Sequence, residues 1–310
     1  MKKLNAMQRL NAIIKERGPL VAGLDPEFEK ILPLWEASDG SITKEDFDEE
    51  KLFIDTVLYR YCTEYLKSLP PEVGVVKINS AFFESKGLED LYINLAEDAK
   101  QLGLFVIGDV KRADIGNTSK MYAEAFLYED SPFDAVTINP YFGTDGVQPF
   151  FDLAKKNGKG VFVLVKTSNK TSAEIQDAIL ADGRPVYALV ADLVNQWGRY
   201  TDPEGTEDYN LVGAVVGATH PEQAAELRKL MPNTFFLVPG YGAQGATAQD
   251  ITVNFDSEGG GAVVNSSRGI MMACNNARWK DKFTQKEWAE AATAECIRAT
   301  AELKEAIANR

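Results

Sequence analysis

Short, continuous apolar runs alternate along this chain with longer stretches in which apolar residues recur every three or four positions. The runs read as strands buried on both faces, and the stretches as amphipathic helices. Leu4, Met7, Leu10 and Ile13/Ile14 mark a first helix, stopped by Gly18-Pro19. Strands are predicted at residues 20–24, 73–78, 104–107, 134–138, 160–165, 212–217, 235–238 and 262–264. Helices are predicted at residues 45–69, 89–102 and 117–126, around Val147 to Ala154, less regularly up to Trp197, and at 221–231. A last helix closes the chain. Thr219/Glu222 and Thr284/Glu287 have capping-box spacing ahead of the final two helices. This alternation predicts one (β/α)8 TIM barrel with an N-terminal helix, a single domain over residues 1–310. An open doubly wound sheet is the alternative; the absence of a composition break fits closure better. Residues 202–208, acidic and bearing Gly and Pro, read as a surface loop with no role that the residues reveal.

Charge enters this pattern at one end of the strands. The run Leu104-Phe105-Val106-Ile107 opens into Gly108-Asp109-Val110-Lys111-Arg112-Ala113-Asp114. Side chains alternate along a strand, so Asp109 and Lys111 share a face and Val110 points the other way. A salt bridge at the sheet margin is the plain reading of such a triplet. Buried charges are costly unless paired or used, which makes a functional reading at least as good. Other strand ends carry Asp25, Lys77, Asn139, Ser168 and Arg268. Active sites of this fold gather at those ends.

After the seventh strand comes Pro239-Gly240-Tyr241-Gly242-Ala243-Gln244-Gly245, and after the eighth Asn265-Ser266-Ser267-Arg268-Gly269. The Gly-x-Gly-x-x-Gly spacing lacks the context of a dinucleotide fold. In a barrel, the loops after strands seven and eight commonly take phosphate. Glycines admit backbone N–H groups to the oxygens, and Arg268 adds a cation.

Composition removes several classes. With 45% hydrophobic residues the chain can bury a full core, and its net charge of −13 argues against nucleic acid or an anionic membrane as partner. Cys62, Cys274 and Cys296 are scattered, which favours a reducing cytoplasm over a disulfide framework. The first residues lack the apolar core of a signal peptide, no stretch reaches membrane-spanning length, and Asn117-Thr118-Ser119 is then a chance sequon. His220, the one histidine, stands at an expected helix cap, so Ser-His-Asp hydrolysis and a histidine zinc site are improbable. Lysines at the second and third strand ends would repel a divalent cation, so no metal is expected.

Asp109-Val110-Lys111-Arg112-Ala113-Asp114-Ile115-Gly116-Asn117-Thr118 closely resembles the catalytic motif of the orotidine 5′-phosphate decarboxylase family. Gly23-Leu24-Asp25-Pro26, Lys77 with Ala81-Phe82-Phe83-Glu84, Val136-Thr137-Ile138-Asn139-Pro140-Tyr141, Lys166-Thr167-Ser168-Asn169 and the run from Pro239 to Gly245 resemble further motifs of it. The resemblance spans residues 19–272 and is to the longer, largely bacterial subgroup. The Asp-x-Lys-x-x-Asp element is shared with related sugar-phosphate enzymes. Metal-using relatives place an acidic residue at the second strand end, where this chain has Lys77. Lys166 and Lys170 stand where close relatives have arginine and proline.

The resemblance implies cofactor-free conversion of orotidine 5′-monophosphate to UMP and carbon dioxide, in pyrimidine biosynthesis. It implies that Lys111 protonates C6, that Asp109 sits beside the substrate carboxylate, and that Asp25 and Lys77 hold the ribose. Ser168 and Gln244 would meet the pyrimidine, with Gln244 and Arg268 at the phosphate and Pro239 and Gly269 as further substrate-binding positions. Asp114, Ile115 and Thr118 would reach into the site of a second subunit, making a homodimer with shared active sites. A sugar-phosphate decarboxylase or aldol-type lyase, a Schiff-base lyase using Lys111, Lys77 or Lys166, and an inactive nucleotide-binding protein are the alternatives.

Overall fold

Strand residues of one parity fill the inside of a closed barrel, and those of the other parity face the helices around it. The computed structural model describes residues 4–205, 208–242 and 245–310. Its strands are β1 (Leu20–Leu24), β2 (Val75–Asn79), β3 (Phe105–Arg112), β4 (Ala135–Ile138), β5 (Gly160–Lys166), β6 (Val212–Val216), β7 (Phe236–Pro239) and β8 (Ala262–Ser266). They pair in parallel in chain order, and β8 closes onto β1. The predicted (β/α)8 barrel is therefore the fold. Val21, Val75, Phe105, Ile107, Phe162, Leu237 and Val263 pack inside, whereas Ala22, Val76, Val106, Val163 and Val238 pack against the helical layer. Both faces are buried, which is why the strands read as continuous apolar runs.

The N-terminal helix, Ala6–Glu16, plugs the bottom of this barrel. Its Met7, Leu10 and Ile14 belong to the interior cluster, and Met7 lies so close to Gly160 that a Cβ there would sit 2.8 Å from Cε. Asn5 and Gln8 form a capping box at its start. Asp134, just ahead of β4, ties three elements together: it accepts from Arg9 at 3.1 Å, Lys100 at 2.8 Å and the Val106 amide at 3.0 Å.

Several local expectations change. The helix expected over residues 45–69 is a 3₁₀ turn, Lys44–Asp46, followed by a helix at Glu50–Ser68. An additional helix, Phe28–Ser38, carries Pro33 inside it and forms because Ile31, Leu34 and Trp35 are buried on one side. Proline's helix-breaking tendency loses there to tertiary burial. The Thr219/Glu222 box is absent: His220 is the N-cap of helix Pro221–Leu230 without a side-chain cap bond. Thr219 instead donates its hydroxyl to the Ser168 carbonyl at 3.1 Å. The Thr284/Glu287 box is present and leads through a 3₁₀ turn into helix Trp288–Ala308. Among the described residues no helix is long and apolar enough to cross a membrane.

Candidate active site

β1, β2 and β3 deliver an alternating row of charges to the C-terminal mouth of the barrel. Lys77 sits in β2 opposite Gly23 of β1 and Ile107 of β3, and is 4% exposed. Its ammonium lies 2.7 Å from Asp109 Oδ2 and 3.5 Å from Asp25 Oδ1. The other oxygen of Asp109, Oδ1, meets Lys111 Nζ at 2.5 Å. The row is thus Asp25, Lys77, Asp109, Lys111, with each interior member between opposite charges.

Lys111 reaches this position through an unusual backbone. Its φ of 45° is the one positive value at a non-glycine among the described residues. The β3–β4 pairing is interrupted there, jumping from Gly108 opposite Val136 to Arg112 opposite Ile138. Such a conformation costs on the order of 1–3 kcal/mol and persists only where surroundings impose it. Part of that imposition is Thr137 on β4: its hydroxyl accepts the Lys111 amide at 3.0 Å and donates to Asp109 Oδ1 at 2.9 Å. Val110 faces the outer core, as the alternation predicts.

The protonation states follow from these contacts. Burial opposes charge on Asp109, but Lys77 and Lys111 outweigh it and hold the carboxyl well below the usual carboxylate range. Burial likewise opposes the Lys77 ammonium; Asp109 and Asp25 outweigh that and raise its pKa above the ordinary lysine value. Both groups are ionised at neutral pH. The array is a fixed pattern of charge that does not wait for a ligand to form.

A cavity of about 390 Å³ opens above the row, with Asp25, Lys77, Asp109 and Lys111 on one side and Ser168, Pro239 and Arg268 among its other lining residues. Leu164, Val215 and Leu237 give it an apolar portion. Arg268 is exposed and also lines an adjoining cleft of about 710 Å³, where Gly269 and Gly242 lie. That volume suits a nucleotide-sized molecule. Gln244 falls outside the described residues.

Asp114, Ile115 and Thr118, expected to serve a partner's site, do not line this cavity. Asp114 turns its Oδ1 to the Ile115 amide at 2.7 Å, Ile115 is 55% exposed, and Thr118 is exposed on helix Gly116–Leu127. Conversely, Thr137 and Asn79 line the cavity without having been expected there. Thr137 carries a signal in hindsight: it is the polar member of an apolar strand, at the inward parity of Ala135.

The model of the orotidine 5′-phosphate decarboxylase / HUMPS family matches residues 20–283. The chain belongs to that family. A Rhodopirellula baltica protein named orotidine 5′-phosphate decarboxylase is 38% identical over 308 residues, covering 96% of this chain and 98% of its own. One of the same name from Caldicellulosiruptor bescii is 40% identical over 289 residues, with 88% and 91% covered. Among solved structures, a Streptomyces avermitilis chain aligns with a TM-score of 0.79 at 32% identity, over 99% of this chain and 98% of that one. The Leishmania donovani OMP decarboxylase aligns with a TM-score of 0.72 at 26% identity, over 98% and 99%. The family match takes in all eight strands of the barrel.

Proposed function

We infer that this chain decarboxylates orotidine 5′-monophosphate to UMP and carbon dioxide without a cofactor, as a step of pyrimidine synthesis. The carrying observation is the paired row of Asp25, Lys77, Asp109 and Lys111, its two inner members buried, at the mouth of a nucleotide-sized cavity. Breaking the C6–carboxylate bond leaves an electron pair on a ring carbon with no electron sink. The Lys111 ammonium stabilises that developing charge, and then gives C6 its proton; solvent returns a proton to the amine. Asp109 keeps Lys111 oriented and stands beside the departing carboxylate. Asp25 and Lys77 hold the ribose, Ser168 and Gln244 the base, and Gln244 and Arg268 the phosphate, with Pro239 and Gly269 at the same end. The Lys77 ammonium stands between Asp25 and Asp109, and its charge would repel a divalent cation there.

The whole chain, residues 1–310, acts on this reading as one barrel domain in a homodimer. Asp114, Ile115 and Thr118 complete the partner's site. Ile115, Met121, Tyr141 and Phe142, exposed by 55, 54, 81 and 50%, leave the rim beside the cavity apolar, as an interface requires. Three buried free thiols suit a reducing compartment, the cytoplasm, and the net charge of −13 disfavours nucleic acid as partner.

The test is loss of orotidine 5′-monophosphate absorbance, run with and without a chelator. Turnover to UMP in both is expected. Absence of turnover, or its collapse with chelator, would overturn the reading in favour of an inactive binder or a metal-dependent lyase.

A further inference from the structure

Lys166 has no place in the reaction just described, yet it is among the most completely buried side chains of the protein, at 0% exposure. By strand alternation it should point into the barrel with Phe162 and Leu164. A bulge prevents this: Leu164 pairs with Val215, but Lys166 pairs with Val216, so β5 spends two residues against one of β6. The side chain is turned out of the barrel into the helical layer. There Nζ meets Asp177 Oδ1 at 2.6 Å, approaches Ser172 Oγ at 3.4 Å and lies 5.8 Å from the centre of the Tyr187 ring. A lysine so enclosed and paired is no amine for Schiff-base chemistry.

Its partner lies 11 residues on, so the pair closes a loop that contains Ser168. A second clasp lies just inside the first. Gln176 accepts from the Thr167 amide at 2.9 Å and donates to the Thr167 hydroxyl at 2.7 Å. From the β6 side, the Gly217 amide donates to the Lys166 carbonyl at 2.7 Å, and Thr219 donates to that of Ser168. A Cβ at Gly217 would sit 2.8 Å from the Ser168 backbone. Ser168 is the residue of this loop that would read the pyrimidine, and it is gripped on both sides.

We propose that Lys166 and Asp177 are positioning residues for base recognition: their ion pair holds the loop that presents Ser168 to the pyrimidine edge. The inference rests on the function proposed above and adds to it where base selectivity comes from. A misplacement of about 1 Å in a positioned contact can cost on the order of a hundredfold. The two partners are not equivalent. Loss of Asp177 leaves a buried ammonium unpaired, whereas loss of Lys166 leaves a carboxylate that is 33% exposed and can hydrate. The acid is therefore the more sensitive member.

Binding of UMP, CMP and ribose 5-phosphate to the full-length protein is the experiment, with thermal unfolding of each variant beside it. Asp177→Asn should weaken UMP about tenfold or more, narrow the preference for UMP over CMP, and leave ribose 5-phosphate within about twofold. Lys166→Met should act in the same direction but less, and Lys166→Arg should retain binding, because a guanidinium also grips a carboxylate. Gln176→Leu, which opens only the inner clasp, should repeat the pattern and serves if Asp177→Asn does not fold. Equal loss of UMP and ribose 5-phosphate, or unchanged UMP binding in folded variants, would overturn the inference. Wild-type protein that binds no UMP would instead overturn the function on which it rests, and the inference with it.

Discussion

The Thr137 hydroxyl donates to Oδ1 of Asp109 at 2.9 Å, the same oxygen that receives the Lys111 ammonium. A neutral side chain on β4 thereby fixes the rotamer of a carboxylate on β3. The same hydroxyl accepts the Lys111 amide, so it also supports the left-handed backbone that aims the lysine. Orientation of the charged row depends on a residue that carries no charge.

Thr137→Val keeps the shape and removes both bonds. The part-buried Lys111 amide loses its acceptor, a cost of about 1 kcal/mol. Stability measured by chemical denaturation should fall by that amount. Turnover should fall about tenfold or more as Asp109 and Lys111 lose their fixed geometry, with UMP affinity changed less. Wild-type kinetics in this variant would show that Thr137 does not orient the row.

The coupled charges set the pH dependence of stability. Asp109 has a lowered folded pKa, so its contribution is present above the ordinary carboxylate range and is lost as pH falls through the depressed folded value. Lys77 has a raised folded pKa; its contribution is present below the ordinary lysine range and is lost as pH rises through the raised value. The stability gap between wild type and Asp109→Asn should accordingly be flat through neutral pH and shrink in strong acid. Urea unfolding over pH reads it, and a gap that closes already near pH 6 would contradict the assigned charge states.

Arg268 tests the phosphate end. Its exposed side chain lines both the cavity and the adjoining cleft. Arg268→Ala should weaken UMP by at most about 3 kcal/mol, the scale of a charge-assisted hydrogen bond, and leave uridine almost unchanged. Calorimetry with both ligands separates this from a general loss; equal weakening would place Arg268 away from the phosphate.

Asp114 tests the shared site. If it enters the partner's cavity, Lys111→Ala and Asp114→Ala homodimers are each nearly inactive. Co-refolding the two makes heterodimers in which one site carries both lesions and the other none. Random pairing gives about half heterodimers, so roughly a quarter of all sites should recover. An Asp114 that acts within its own subunit predicts no rescue. Absence of recovery despite demonstrated subunit exchange would exclude sharing.

The sequence by itself determined the barrel, because parallel strands buried on both faces leave unbroken apolar runs that only a few architectures can bury. It also determined that Asp25, Lys77, Asp109, Lys111 and Ser168 stand at one mouth, since strand direction alone puts them there. Tertiary structure decided what parity could not. Parity already put Lys111 on the face of Asp109, and the break with its left-handed backbone sets how it meets that carboxylate. The bulge before Lys166 instead reverses which way that lysine faces and buries it outside the barrel against Asp177. Alternation holds only while the pairing register is regular, and where a partner strand imposes an extra residue the side chain's direction becomes a property of the pair of strands. Thr137 and the helix Phe28–Ser38 escaped for a related reason. A hydroxyl within an apolar strand and a proline within a helix are resolved by neighbours distant in the chain, and those neighbours exist only in the folded protein.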